Sequence, residues 1–487
     1  LQPELTYGRI QWVSKHFGIS RPTLYCTRNT FLQTVCRGPG RRCKSPLQRQ
    51  EDAKQADLRK NIAELQRQLE QTQDRLDRAK NRALFWLIAR GLPARGIAQF
   101  LRDCFGVPAN RTDILVKTKW YAQRATELMK IHFWPLATDV DLDEIFVEGD
   151  PLFIAADPKS MAIAKTAMEE ERTTDAWSRF LQDLPNLTRT TSDRGQAILG
   201  ALPKRGSLIH QNDTFHLKSL LHDELNVLEK RCYSLIAQEE DFLLRQNKTV
   251  SRGRDGRKLG RWCRVMKDKT AVAIAQFDEI EQAVHVAFDA LRLTTAQETF
   301  NTSTRARESL DLVRSWIHEH MSKGWKRVKS ALQDPALFTF LDEFHAVLPA
   351  IRVDAVYPGD QESILVSLAR LWEQQASHRY RGRPVVIPQS IEQDLLTRCR
   401  NLPEVQRDLF RLLDNLHRAS SAVECINSRV GFYRYSKRRF SNDFANLIAI
   451  WHNLTPFEDG KRAHQCPARI LGAKLPSYDI FQLFDVA

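Results

Sequence analysis

Apolar residues recur at helical spacing along the first quarter of the chain, and the interruptions fall at glycines and prolines. Ile10, Val13 and Phe17 share one helical face, Gly18 makes a turn, Ser20 caps, and Pro22 sits in the first turn of a second helix. Residues 6–31 therefore predict a helix-turn-helix with Arg21, Thr23, Tyr25 and Arg28 facing DNA, or a plain helical hairpin without nucleic acid. From Leu58 the apolar positions continue through Ile62, Leu65, Leu69, Thr72, Leu76, Ala79 and Ala83, in alternating steps of four and three. That is a coiled-coil seam, joining two protomers or folding back on the same chain. A second helical unit follows: Leu84 to Arg90, a break at Gly91 and Pro93, Ala94 to Phe105, a break at Gly106 and Pro108, then a long helix from Asn110 to Lys130. It reads as another helix-turn-helix, with Arg111, Lys117 and Lys119 toward phosphate, or as a structural bundle.

The period then shortens from 3.6 to 2. Residues 136–157 alternate around a turn at Glu148-Gly149-Asp150-Pro151 and predict a β-hairpin, with a third strand at Met161 to Met168. Thr174 is expected to cap a helix through Leu184 that turns Trp177, Phe180 and Leu181 inward. Leu187 to Ser192 gives a fourth strand ending at Asp193, Arg194-Gly195 turns into a short helix, and Ser207 to Asn212 is a fifth strand. Three antiparallel strands, a helix, a strand, a helix and a strand is the order of an RNase H-like core. Helical patterns such as Ala271 to Leu291 and Ala306 to His320 then run to about residue 405. The expected fold class is multidomain α and α/β: an N-terminal helix-turn-helix and coiled-coil region, then an RNase H-like mixed-sheet core interrupted by a large all-α insertion. The expected domains are 1–45 with a basic linker, 46–83 as the coiled-coil helix, 84–132 as the second helical domain, 133–216 as the first part of the core, 217–405 as the insertion, and 406–487 as the second part of the core.

At 487 residues the chain exceeds one ordinary core. No apolar run approaches the roughly 18 residues that cross a bilayer, and Phe444 to Trp451 is short. No secretory signal is read at the start, and the nine cysteines contain no C-x-x-C pair. His464 and Cys466 lack a second pair for a structural zinc. These features give the expectation of a cytoplasmic protein with reduced thiols and no membrane partner. A net charge of +14 and a pI near 9.4 point to a polyanionic partner.

The chemistry-bearing residues follow from the strand order. Asp143 and Asp193 lie 50 residues apart, on strands that are adjacent in the expected topology. Two carboxylates held together repel unless they share a cation, and a pair of Mg²⁺ ions about 3.5–4 Å apart satisfies both. Glu424 is the third candidate, because Val423, Ile426 and Val430 form a buried stripe and Glu424, Asn427 and Ser428 fall on the neighbouring face. The alternative is a capping box, Ser421-x-x-Glu424, in which Glu424 only serves a backbone amide. Asp139, Asp141 and Asp143 share one strand face, so spacing does not select among them. Asp157 is a weaker alternative, and Asp213, His216 and Asn427 are candidates to assist.

Basic stretches mark candidate DNA contacts. Arg37 to Lys44 includes Arg41 and Arg42 around Gly38, Pro39 and Gly40, and reads as a phosphate-tracking arm or a solvated loop. Arg254, Arg257, Lys258, Arg261 and Trp262 lie in a glycine-broken stretch, 245–269, suited to phosphate contact and base stacking or to a loop; residues 377–383 invite the same two readings. Arg429, Arg434, Lys437, Arg438 and Arg439 interleave with Phe432, Tyr433 and Tyr435 just past Glu424.

Asp143-Glu-Ile-Phe146, Thr191-Ser-Asp193-Arg-Gly195, Asp213-Thr-Phe-His216 and Ser420-Ser-Ala-Val-Glu424-Cys-Ile-Asn427-Ser428-Arg429, with Trp451-His-Asn453 after them, resemble the phrases of bacterial insertion-sequence transposases of the DDE class. The resemblance spans residues 136–487 and selects Asp143 from the three aspartates. It implies that Asp143, Asp193 and Glu424 form the metal-binding, catalytic triad of a two-metal-ion polynucleotidyl transferase using Mg²⁺, with Mn²⁺ as substitute. It further implies hydrolysis at transposon ends and attack of the freed 3′-hydroxyl on target DNA. The implied partners are double-stranded terminal inverted repeats and target DNA, bound by a homodimer or higher oligomer in the bacterial nucleoid. The departure is spacing: 231 residues separate Asp193 from Glu424, which requires the insertion. The competing expectations are a catalytically silent DNA-binding regulator that keeps the fold, and a structure-specific nuclease.

Overall fold

Two described helical segments, 14–17 and 21–27, are separated by Gly18 at φ 64°. Ser20 Oγ accepts from the Thr23 amide at 3.3 Å, which is the N-cap expected from the sequence. The computed structural model describes residues 14–27, 46–202, 208–317, 322–375, 383–431 and 440–484. It divides into two units, Leu1–Asp77 and Arg78–Ala487. Helix α1, Pro46–Ala89, is continuous. Its seam residues Leu58 and Leu76 are 55% and 50% exposed. The basic linker around Arg41 and Arg42 lies outside the described residues. Among the described residues no helix is long and apolar enough to cross a membrane.

In the second unit, α2 (Ala94–Phe105) ends on Gly106 in the left-handed conformation, and α3 (Arg111–His132) starts at Asn110, whose side chain accepts from the Asp113 amide. Five strands follow: β1 Asp139–Val147, β2 Asp150–Ala156, β3 Ile163–Met168, β4 Arg189–Ser192 and β5 Ile209–Asn212. Their order across the sheet is β3-β2-β1-β4-β5. The first three are antiparallel, and β1, β4 and β5 run parallel. The parallel crossovers hold α4 (Thr174–Gln182) and α5 (Gln196–Ala201). The α4 cap is Thr173 rather than Thr174: Thr173 has extended backbone and accepts from the Ala176 amide, so the cap precedes the expected position by one residue.

Alternation along the strands feeds two cores. Val140, Leu142, Phe153 and Ala155 face Trp177, Phe180 and Ile198 of α4 and α5. The Phe153 and Trp177 rings stack at 4.0 Å, a pairing that adds roughly 0.5–1.5 kcal/mol beyond the buried area. Ile145, Val147, Leu152 and Ile154 face the opposite side, toward α1, α3 and two later helices, α14 (Ser421–Val430) and α15 (Asn442–Leu454).

Between these halves lies the helical insertion. Helices α6 (Thr214–Ser251) and α7 (Arg257–Ala290) make a long hairpin. The remainder is α8 (Ser303–Trp316), α9 (Lys323–Ala331), α10 (Thr339–Val347), α11 (Gln361–Gln374), α12 (Gln389–Arg398) and α13 (Leu402–Asn415). It has its own core, from Leu217 to Leu413. The stretch 245–269, read as glycine-broken, is two helices and a short turn. Its glycines allow close packing: a Cβ on Gly260 would stand 2.8 Å from Gln246 Nε2.

Edge strand β3 is covered by α15, as an exposed edge requires. Asn453 accepts from the Ile163 amide at 2.8 Å and donates to the Ile163 carbonyl at 2.9 Å. Asn446 accepts from Thr166 Oγ1, and Asn442 bonds both backbone groups of Met168. His452 donates from Nε2 to the Met161 carbonyl at 2.7 Å, and burial pushes its imidazole down to about 4, so it is neutral. Asn453→Ala leaves the buried Ile163 N–H and C=O unpaired. The expected loss is about 2–6 kcal/mol, at roughly 1–3 kcal/mol for each of the two stranded groups. A denaturant titration checks it, and an unchanged midpoint contradicts the role.

Candidate metal centre

The two aspartates are brought together by strand pairing. β1 and β4 are parallel neighbours whose last register pair is Leu142 with Ser192, so Asp143 and Asp193 each follow the same rung. The Asp143 carboxylate accepts from the Glu144 amide at 2.8 Å and from Asn427 Nδ2. Burial pushes it up to about 6, and the charge of Asp193 adds to that rise. Asp193 accepts from the Gly195 amide at 2.9 Å through Oδ1, while Oδ2 has no hydrogen bond among the described residues.

Glu424 reaches the site from α14. Val423, Ile426 and Val430 are buried, so the expected stripe is present, and Glu424 and Asn427 fall on the neighbouring face. The capping box does not form. The helix N-cap is Ser420, without a side-chain cap bond, and the Glu424 carboxylate lies 3.4 Å from His216 Nδ1. Asn427, almost one turn along the same helix, holds Asp143. Ser428 is exposed and bonds back to the Cys425 carbonyl.

Asp213 turns out to be a clamp. Its Oδ1 accepts from the amides of Phe215 and His216, capping α6. Its Oδ2 accepts from the Ser420 amide at 3.0 Å, from Ser420 Oγ, and from His216 Nδ1 at 3.0 Å. Burial pushes this carboxyl up, but the bonds from His216 and Ser420 outweigh it, so it lies below the usual carboxylate range. The His216 imidazole is held up at about 9, first by its hydrogen bond to Asp213 and then, against burial, by the charges of Asp213, Glu424 and Asp193. It is therefore a cation at neutral pH. The Thr214 amide and hydroxyl both bond the Arg418 carbonyl, so the entry and exit of the insertion are stitched beside the site.

Among the described residues, Asp213, His216 and Glu424 place ligand atoms within 4.8 Å of one another, and Asp143 and Asp193 stand outside that group. Five accepted hydrogen bonds exceed the roughly four lone-pair sites of a carboxylate, so Asp213 has no lone pair left to give a metal. The chemistry of Asp143, Asp193 and Glu424 fits a hard divalent cation better. All are carboxylates, Asp143 ionises against burial and against Asp193, and Asp193 keeps an oxygen uncommitted.

The other aspartates are otherwise engaged. Asp141 is fully buried and bonds His417 Nε2 at 3.1 Å; burial raises its carboxyl to about 6. Burial pushes the His417 imidazole down, and the Asp141 charge more than offsets this, so it lies above its ordinary value. Asp139 lies beside the same network, which includes Arg189, bonded to the His417 carbonyl and to Glu343. Asp157 spends Oδ1 on the amide and hydroxyl of Ser160 in the β2–β3 turn. Of the three aspartates sharing a strand face, only Asp143 touches Asn427.

The candidate DNA contacts are spread out. Thr23 and Tyr25 are exposed on segment 21–27, and Arg21 is half-buried there. Arg254 is in the hairpin turn, Arg257 bonds Asp255, and Lys258 and Arg261 follow on the first turns of α7. Trp262 is 47% exposed and its ring stacks on Phe242 across the hairpin at 6.3 Å. Arg429 lies by His452 Nδ1 and over the Phe457 ring. Arg28, Arg41, Arg42, Arg434, Lys437, Arg438 and Arg439 lie outside the described residues, as do residues 377–382.

Sequence reasoning did not find the role of Ser420, the His417–Asp141 pair, or Glu144. The Glu144 carboxyl is pushed up to about 7 by burial, with Asp193 and Asp143 adding and Arg172 opposing. Three ionisable residues in five, Asp139 to Asp143, gave a signal of something unusual without saying which had partners. Compared with protein-family models and with curated proteins, the chain matches none.

Proposed function

We propose that the chain is a DNA transposase of the DDE class, cutting DNA at transposon ends and joining the freed 3′-hydroxyl to target DNA on an RNase H-like core. The observation that carries the reading is the meeting of three distant segments. Asp143 and Asp193 follow one rung of adjacent parallel strands, and the α14 helix bonds into the same place through Asn427 to Asp143 and Glu424 to His216. The strand order β3-β2-β1-β4-β5, with two parallel crossovers, is the order expected of an RNase H-like core and supports the same reading.

Asp143, Asp193 and Glu424 would hold two divalent cations, Mg²⁺ or Mn²⁺. Those ions, when bound, activate the attacking oxygen and stabilise the leaving oxygen of an in-line phosphoryl displacement. The chain's own residues set the stage. Asn427 and the Glu144 amide aim the Asp143 carboxylate, the Gly195 amide aims Asp193, and Asp213 fastens the start of α14 through Ser420. His216 supplies positive charge to Glu424. The net charge of +14 suits a DNA partner, and the exposed seam at Leu58 and Leu76 suits pairing of two copies on DNA.

Incubation with labelled DNA ends, target plasmid and Mg²⁺ tests the proposal. Joined product is expected, and Asp143→Asn removes it. Nicks without joining point instead to a structure-specific nuclease. Binding without either product points to a regulator.

A further inference from the structure

Strand alternation puts a fourth carboxylate just past the last rung that β1 shares with β4, on the face opposite Asp143. Glu144 shares that face with Val140 and Leu142. Its side chain is only 5% exposed, and Oε1 meets Arg172 Nε at 2.6 Å. Oε2 is buried and has no hydrogen-bond partner among the described residues. Arg172 directly precedes Thr173, the cap of α4, and its side chain is 38% exposed. Glu144 is its one ion-pair partner among the described residues.

The other end of the guanidinium points back toward the site. Arg172 Nη2 stands 2.8 Å from the place a Cβ would occupy on Gly195, and Gly195 is the residue whose amide holds Asp193. Only a glycine lets the arginine lie so close over this turn. An arginine this near Asp193 would ordinarily pair with it and spoil it as a metal ligand. Glu144 prevents that by taking the Nε side from the opposite face, so the Nη groups are presented without being spent. A guanidinium has five N–H donors in a fixed fork suited to phosphate oxygens, and a buried carboxylate that fixes one edge orients the rest.

We propose that Arg172, oriented by Glu144 and admitted by Gly195, binds a non-bridging oxygen of a phosphate in the DNA strand being cut, next to Asp193. The inference rests on the transposase reading and names a residue that touches the substrate. The contact offsets the charge that a phosphodiester adds to a site already holding three carboxylates.

The test measures binding of an end duplex in Ca²⁺, using either the natural strand or one carrying a single uncharged methylphosphonate beside the cut position. Arg172→Ala is expected to weaken binding of the natural duplex at least about tenfold, and Arg172→Lys to recover part of it. With the methylphosphonate duplex, wild type and Arg172→Ala should bind alike, because the charge that the arginine meets is gone. Equal weakening on both duplexes means that Arg172 serves only the fold, and overturns the proposal; so does an Arg172→Ala that binds the natural duplex like wild type. If the wild-type protein neither binds nor cuts end DNA, the transposase reading itself fails, an outcome distinguishable from either of these.

Discussion

Asp143→Asn is expected to abolish Mg²⁺-dependent cleavage and joining while making the protein more stable at neutral pH. Losing one ligand of a metal pair costs several kcal/mol of transition-state stabilisation, which at about 1.4 kcal/mol per decade is a fall of at least about 10³-fold in rate. The stability gain has a separate origin. Burial and Asp193 raise the Asp143 carboxyl from 3.8 to about 6, so its charged form is disfavoured in the folded chain. A carboxyl with a raised folded pKa contributes stability below its unfolded pKa and loses that contribution as pH rises through the folded value. Wild type should therefore lose roughly 3 kcal/mol between about pH 4 and 6 on this account, at about 1.4 kcal/mol per pH unit. The asparagine variant should lack this loss. Urea unfolding of the metal-free proteins at pH 4 and pH 7 checks the sign: similar midpoints at the acid end, and a higher midpoint for the variant at pH 7. A variant less stable than wild type at pH 7 contradicts the electrostatic account.

Asp213→Ala is expected to damage fold and activity together. The carboxylate is buried and accepts from Phe215, His216 and Ser420. Removing it strands those donors and breaks the pair with the half-exposed His216, a loss of about 2–4 kcal/mol that comes mainly from the buried amides. It also releases the start of α14, and if Glu424 acts as proposed, displacing it by about 1 Å costs on the order of 10²-fold in rate. The same change should bring the His216 imidazole down from about 9 toward its ordinary value, because Asp213 is the largest cause of its rise. An imidazole titration followed by NMR reads this directly. His216 titrating as before in Asp213→Ala would show that the clamp does not govern this part of the site.

Much of the fold was legible because the pattern changes period where the fold changes class. Val140 and Leu142, alternating with Asp139, Asp141 and Asp143, marked the first strand, and Gly91, Pro93 and Gly106 marked real helix ends. Asp143 and Asp193 could be paired because parallel strands in register carry their next residues together. What stayed hidden depends on partners far away in sequence. Nothing local to Asp213 says that it will meet Ser420, 207 residues on. Nor does spacing alone distinguish Asp141, neutralised by His417, from Asp143, held by Asn427. The asparagines of α15 looked like polar residues on a mostly apolar helix, and their purpose emerges only when β3 proves to be an edge strand. That Trp262 has Phe242 for a neighbour was likewise hidden, because Phe242 lies on the other arm of a hairpin that periodicity did not reveal.

Anomalous diffraction from Mn²⁺ in crystals of the protein bound to a pre-cleaved transposon end is the most direct measurement. Two peaks about 3.5–4 Å apart are predicted, touching the carboxylates of Asp143, Asp193 and Glu424, with Asp213 still bonded to Ser420. A single peak on Asp213, His216 and Glu424 that leaves Asp143 and Asp193 bare, or no peak near β1 and β4, would contradict the shared-metal site on which the catalytic assignment depends.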